Sequence, residues 1–182
     1  MNEESVEISK EIAKQIFELA NMPRTTEVTD ENMLHALINI KNANNPTEEI
    51  TFNPTSNNIL VIDDIGVVTY QLKILLSNLG YNVLVAKDIF SGLNTFIKSN
   101  YAFVIMDLFV STEQEGYALL NETKKIITKN NLDTKIIVIT ASNKAENKVK
   151  CLNGGADYFL KKDTGWQDKL IELVDNTQDV NM

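Results

Sequence analysis

Acidic residues follow two of the most apolar segments of this 182-residue sequence. Asp63 and Asp64 come directly after "NILVI", and Asp107 comes directly after "AFVIM". A carboxylate beside buried apolar residues is costly to desolvate unless a cation or a hydrogen-bond donor lies near it. Three carboxylates in one pocket repel one another, and their hard oxygens suit Mg²⁺, which takes one or two protein carboxylates and keeps several waters.

A hydroxyl and two lysines follow two further apolar segments. Thr140 ends "TKIIVIT", and Lys161 and Lys162 come directly after "DYFL". Phosphoryl transfer needs a metal ion and an ammonium group around the equatorial oxygens, with a nucleophile in line. Each acid alone could merely cap a helix or face solvent. Acids, a hydroxyl and a lysine at four successive segment ends instead predict phosphoryl transfer to a carboxylate, with Asp107 as the nucleophile.

Alternating strand and helix patterns must position these residues. Five short apolar runs are each followed by a helical repeat of apolar residues. Near-continuous apolar strands predict a parallel sheet covered on both faces, and right-handed crossovers make it a doubly wound, five-stranded α/β fold. In the flavodoxin-like order 2-1-3-4-5, the first and third strands are neighbours, so the three acids meet at one edge.

The fourth helical repeat, "NKAENKVKCLNGG", carries apolar and basic residues at helical spacing. The pattern predicts that Ala145, Val149 and Leu152 point inward. The exposed side is then expected to carry three lysines: Lys144, Lys148 and Lys150.

The first 57 residues differ from the rest in charge, with 4 Lys and Arg against 10 Asp and Glu. Residues 1–44 predict an acidic α-helical extension of two short helices, and residues 45–57 a linker rich in asparagine and proline. The α/β domain is predicted over residues 58–178, with residues 179–182 as a tail. His35, the single histidine, lies among apolar residues, which favours a packing role over a phosphorelay role.

Composition disfavours several classes of protein. The net charge is −8 with no basic stripe, so we expect no direct nucleic-acid binding. No stretch approaches the roughly 20 apolar residues of a membrane helix, and the acidic N-terminus lacks a signal peptide's apolar core. One cysteine allows no intrachain disulfide, so a cytoplasmic location is expected. "DDIGVV" after the first strand is not a glycine-rich nucleotide-binding loop.

Residues 58–178 resemble the receiver domain of two-component response regulators, through "ILVIDD", "FVIMD", "VITA" and "GADYFLKK". The resemblance implies that Asp107 is the phosphoacceptor. It also implies that Asp63, Asp64 and Asp107 bind Mg²⁺ together with the backbone carbonyl of Phe109.

The resemblance implies roles for later residues as well. Thr140 would be the switch hydroxyl, Phe159 the switch aromatic and Lys162 the active-site lysine, with Lys161 as the adjacent alternative. A histidine kinase or another phosphodonor would supply the phosphoryl group. The sequence is expected to signal through a partner protein, through self-association such as a homodimer, or through the N-terminal extension, and not to act as an enzyme on other molecules.

The sequence departs from the family at two loops. Asp163 and Ser111 stand where the family usually has proline, and the loop before Gly116 is one residue longer than usual. Phe109 is bulky where small or polar residues are frequent, so we expect slow dephosphorylation. The missing prolines leave a phosphorylation-independent interaction scaffold as the alternative. A phosphatase with an aspartate nucleophile would need an acid where Phe109 stands.

Overall fold

The structure is a computed structural model that describes residues 57–178. The predicted helical extension, nearly all of the linker, His35 and the tail lie outside the described residues. Among the described helices, none combines the length and the apolar character that crossing a membrane requires.

Strands and helices alternate through the described chain. The strands are β1 (Asn58–Ile62), β2 (Asn82–Ala86), β3 (Phe103–Asp107), β4 (Lys135–Thr140) and β5 (Tyr158–Lys161). The helices are α1 (Gly66–Asn78), α2 (Ile89–Phe96), α3 (Glu113–Asn130), α4 (Ala145–Asn153) and α5 (Trp166–Gln178). All strand pairs are parallel, in the order β2-β1-β3-β4-β5. The predicted fold class and strand order are confirmed.

The three central strands are buried along nearly their whole length because helices cover both faces of the sheet. On one face, α1 and α5 contribute a core that includes Leu72, Leu76 and Leu170. On the other face, α2 lies so close to β1 that a side chain on Gly92 would meet Ile62. Burial on both faces explains why these strands read as continuous apolar runs rather than alternating ones.

Helix α3 begins at Glu113, within the loop that the sequence shows before Gly116. Thr112 caps it, since the Thr112 hydroxyl accepts a hydrogen bond from the Glu115 N–H at 3.2 Å. Gly116 lies in the first turn against the backbone that follows Asp107. A Cβ atom at this position would stand 1.9 Å from the Leu108 carbonyl oxygen. The close approach of helix and strand end therefore requires glycine here.

The predicted inward face of α4 is wrong. Val149 is 58% exposed, Leu152 is 40% exposed and Ala145 is also exposed, whereas Asn147 and Cys151 are fully buried. Apolar residues stand singly at protein surfaces often enough that their spacing alone does not identify the buried face of a short helix. The three lysines of this segment, Lys144, Lys148 and Lys150, are exposed as predicted.

Candidate functional site

Three carboxylates meet at the carboxyl edge of the sheet. Asp107 ends β3, and Asp63 and Asp64 follow β1, which is its neighbour. One carboxylate oxygen of each lies within 4.8 Å of the others. Asp63 and Asp107 are buried, whereas Asp64 is exposed. The cluster is therefore closed on the protein side and open to solvent through Asp64.

Lys162 bridges the two buried carboxylates. Its Nζ atom lies 2.7 Å from Asp63 Oδ2 and 2.8 Å from Asp107 Oδ2, and its side chain is 9% exposed. The Lys162 N–H donates to the Thr140 carbonyl oxygen at 2.7 Å, which fixes the lysine beside the end of β4. Lys161 is exposed. Of the two lysines, the structure thus brings Lys162 to the acids.

Backbone N–H groups orient the two buried carboxylates in the same way. Asp63 Oδ1 accepts a hydrogen bond from the Ile65 N–H at 2.8 Å. Asp107 Oδ1 accepts one from the Phe109 N–H at 3.0 Å. In both residues the Oδ2 atom is left for Lys162. Burial raises the pKa of Asp63 above its usual value, and the hydrogen bonds from Lys162 and Ile65 oppose that rise.

A raised pKa means that the folded protein holds the Asp63 proton more tightly than the unfolded chain does. The stability that this proton contributes is complete below the unfolded pKa and is lost as the pH rises through the folded pKa. Asp63→Asn removes the carboxylate whose charged form is penalised by burial. We therefore expect this substitution to raise the free energy of unfolding of the metal-free protein at pH 7 by about 1 kcal/mol, a usual gain when functional-site strain is relieved. Urea unfolding at pH 7 and pH 4 measures this, and the gain should shrink at pH 4. A loss of stability at pH 7 would contradict the prediction.

Thr140 and Phe159 lie on the neighbouring strands β4 and β5. Thr140 is fully buried at the end of β4, and its Oγ1 atom accepts a hydrogen bond from the Ser142 N–H at 3.1 Å. Phe159 is half-buried and pairs in register with Val138. Thr140 therefore lies at the carboxyl edge of the sheet, where its carbonyl oxygen also accepts a hydrogen bond from the Lys162 N–H.

The loop after Asp107 has an unusual backbone. Ser111 has φ = 131°, a left-handed conformation that L residues other than glycine seldom adopt. Its N–H donates to the Phe109 carbonyl oxygen at 2.7 Å. Proline at this position would lack that N–H and would need a negative φ. The Phe109 carbonyl thus has a backbone partner and keeps a second lone pair for another ligand.

Sequence reasoning missed the polar residues that connect this edge to α4. Ser142 Oγ accepts hydrogen bonds from the Lys144 N–H and from Asn147 Nδ2, each at 3.2 Å. Lys144 Nζ also lies 2.8 Å from Glu113 Oε2 on α3. One signal was available, a serine two residues after Thr140. The sequence gives no such signal for the buried Asn147, because the apolar spacing predicts that Ala145, Val149 and Leu152 form the inward face.

Comparison with known proteins agrees with this geometry. The family model of the response regulator receiver domain matches residues 59–175. A response regulator from Burkholderia pseudomallei, solved with a phosphorylated aspartic acid and a calcium ion, is similar with a TM-score of 0.57 and 27% identity over 68% of this chain and 70% of that one. A CheY-like receiver domain from Methanospirillum hungatei JF-1 is similar with a TM-score of 0.59 and 25% identity over 69% of this chain and 96% of that one.

Curated relatives are longer than the matched region. The sensor histidine kinase RcsC of Escherichia coli is 33% identical over 104 residues, which are 57% of this chain and 10% of that protein. The chain spans less than half the length of the first curated relatives that it matches. The similarity therefore concerns one domain of those proteins.

Proposed function

Because this chain belongs to the response regulator receiver domain family, we propose that Asp107 is its phosphoacceptor and that phosphorylation there is the signal. Receiver domains of two-component systems serve phosphorylation-dependent signalling and are signalling domains rather than classical enzymes. The observation that carries the proposal is the position of Lys162, whose ammonium group contacts the carboxylates of both Asp63 and Asp107.

The proposed reaction needs little rearrangement of these residues. An Asp107 carboxylate oxygen attacks phosphorus, and a new P–O bond forms as the donor's bond to phosphorus breaks and the donor leaves with that electron pair. Lys162 moves from pairing carboxylates to pairing phosphoryl oxygens, since its three donors can turn on a flexible stem. The Phe109 N–H holds the other Asp107 oxygen, which orients the nucleophile. Thr140 donates its hydroxyl hydrogen to the bound phosphoryl group.

The donor set fits Mg²⁺, because three carboxylate oxygens within 4.8 Å of one another are hard ligands and Asp64 leaves the cluster open to water. Asp63, Asp64 and Asp107 would hold the ion, with the Phe109 carbonyl as a further ligand. Bound Mg²⁺ would neutralise charge on the transferring phosphoryl group. The calcium ion and phosphorylated aspartic acid of the Burkholderia structure support the assignment.

A histidine kinase or another phosphodonor is the proposed source of the phosphoryl group. Output is proposed through the surface formed by α4, β5 and α5, towards a partner protein or a second copy. Phe159 would change its packing once Thr140 turns towards the phosphoryl group. The exposed apolar residues Val149 and Leu152 on α4 support such contact, since they stand among exposed lysines. The expectation that the chain itself binds no nucleic acid stays a prediction.

Incubation with Mg²⁺ and acetyl phosphate, followed by intact mass measurement, tests this function. We expect one added phosphoryl group per chain, and no addition when EDTA removes the metal. A parallel fluorescence or calorimetric titration measures Mg²⁺ binding without any donor. If the protein neither takes up a phosphoryl group nor binds Mg²⁺, the proposal is contradicted and the phosphorylation-independent scaffold is favoured.

Phe109 is expected to lengthen the life of the acyl phosphate. Its side chain is 36% exposed and lies two residues after Asp107. An apolar ring there would keep water from the phosphorus atom of a phosphorylated Asp107. We expect Phe109→Asn to shorten the half-life roughly tenfold, which corresponds to about 1.4 kcal/mol of barrier. Loss of the phosphoryl mass after donor removal gives the rate.

Val85→Asn is the matched control, because Val85 is also 36% exposed but lies on the edge strand β2. Its half-life should equal that of the unsubstituted protein. An unchanged or longer half-life in Phe109→Asn would show that the ring does not shield the site.

A further inference from the structure

A chain of hydrogen bonds connects Thr140 to helix α4. The Ser142 N–H donates to Thr140 Oγ1 at 3.1 Å. Ser142 Oγ then accepts from Asn147 Nδ2 and from the Lys144 N–H, each at 3.2 Å. The backbone of Ser142 is thus hydrogen-bonded to the end of β4, and its side chain is hydrogen-bonded to the start of α4. A movement of Thr140 Oγ1 away from this position would break its hydrogen bond with the Ser142 N–H.

Asn147 is fully buried, yet only half of its amide is satisfied. Its Oδ1 atom accepts no hydrogen bond within residues 57–178. An unpaired buried acceptor disfavours the arrangement that contains it. The start of α4 also lacks a side-chain cap. These two features make the observed position of α4 one that a small change in hydrogen bonding can shift.

We propose that Ser142 and Asn147 are positioning residues that couple the orientation of the Thr140 hydroxyl to the position of α4. The coupling rests on the proposed function. When Thr140 turns to donate to the phosphoryl group on Asp107, its Oγ1 atom leaves the Ser142 N–H. Ser142 then changes position, Asn147 Nδ2 loses its hydrogen bond to Ser142 Oγ, and α4 moves with it.

Cys151 provides a direct readout of α4. It is the single cysteine of the sequence, is fully buried and lies one turn after Asn147 on the same helix. Burial raises the pKa of the Cys151 thiol to about 11, so a maleimide should react slowly while α4 stays in place. Displacement of α4 exposes the thiol and accelerates the reaction.

The full chain is labelled with a maleimide in the presence of Mg²⁺, with and without acetyl phosphate. We expect phosphorylation to accelerate Cys151 labelling by at least about fivefold, the lower end of usual coupling between two sites. Ser142→Ala and Asn147→Leu should still take up the phosphoryl group but lose the acceleration. Ser142→Thr, which retains the hydroxyl, should keep it. Lys148→Gln, an exposed change on the same helix, should behave as the unsubstituted protein.

The outcomes separate the two proposals. Absence of phosphoryl uptake in the unsubstituted protein would overturn the proposed function, and the coupling with it. Uptake without accelerated labelling would overturn the coupling alone, as would full acceleration in Ser142→Ala. Should Asn147→Leu fail to fold, Ser142→Ala decides the question, because Ser142 is only half-buried and its backbone contact with Thr140 is retained.

Discussion

Asp107→Asn is expected to take up no phosphoryl group, whatever the donor. A neutral amide lacks the charged oxygen that attacks phosphorus. The fold should survive. Asp107 Oδ1 accepts a hydrogen bond from the Phe109 N–H at 3.0 Å, and an asparagine oxygen can still accept it. Lys162 also keeps its contact with Asp63 at 2.7 Å. Intact mass after incubation with Mg²⁺ and acetyl phosphate gives the uptake, and circular dichroism checks the fold.

Asp175→Asn serves as the matched control for this loss. Asp175 is exposed on α5, so the same change of chemistry there should leave uptake at the level of the unsubstituted protein. If Asp107→Asn were labelled as fully as this control, the acceptor would be another residue. Peptide mapping would then identify it, and the assignment of Asp107 would be wrong.

Much of the site's geometry follows from the sequence because parallel strands impose it. Once β1 and β3 are neighbours, Asp63 and Asp107 must stand at the same edge of the sheet, and the structure places their carboxylates together. The fold can be predicted from the sequence equally well. Helices bury β1, β3 and β4 on both faces, and such strands read as continuous apolar runs.

The features that the sequence did not predict depend on contacts between distant segments. Asn147 is buried because its amide reaches Ser142, and no helical period contains that information. The spacing predicts an inward position for Val149 and Leu152, because apolar residues on an exposed surface can have the same spacing as apolar residues in the interior. The φ of Ser111 is likewise invisible in the sequence, since serine gives no sign of a left-handed backbone.

Gly116→Ala is expected to destabilise the domain strongly. The added Cβ would lie 1.9 Å from the Leu108 carbonyl oxygen and 2.7 Å from its carbon. Both are backbone atoms, and Leu108 is held in place because its N–H donates a hydrogen bond to the Ile139 carbonyl oxygen at 2.9 Å. Either α3 or the segment after Asp107 must move. We expect a loss of about 3 kcal/mol in the free energy of unfolding, the upper end of usual overpacking costs, measured by urea denaturation.

Gly66→Ala is the control that separates crowding from the loss of glycine itself. Gly66 also lies in the first turn of a helix, but a Cβ there would meet no atom within 4 Å. This variant should be unchanged or more stable by up to about 1 kcal/mol, because alanine favours helices. Gly116→Ala should also slow phosphoryl uptake, since Leu108 directly follows the proposed acceptor. Equal stability of the two variants would show that α3 does not constrain the backbone after Asp107.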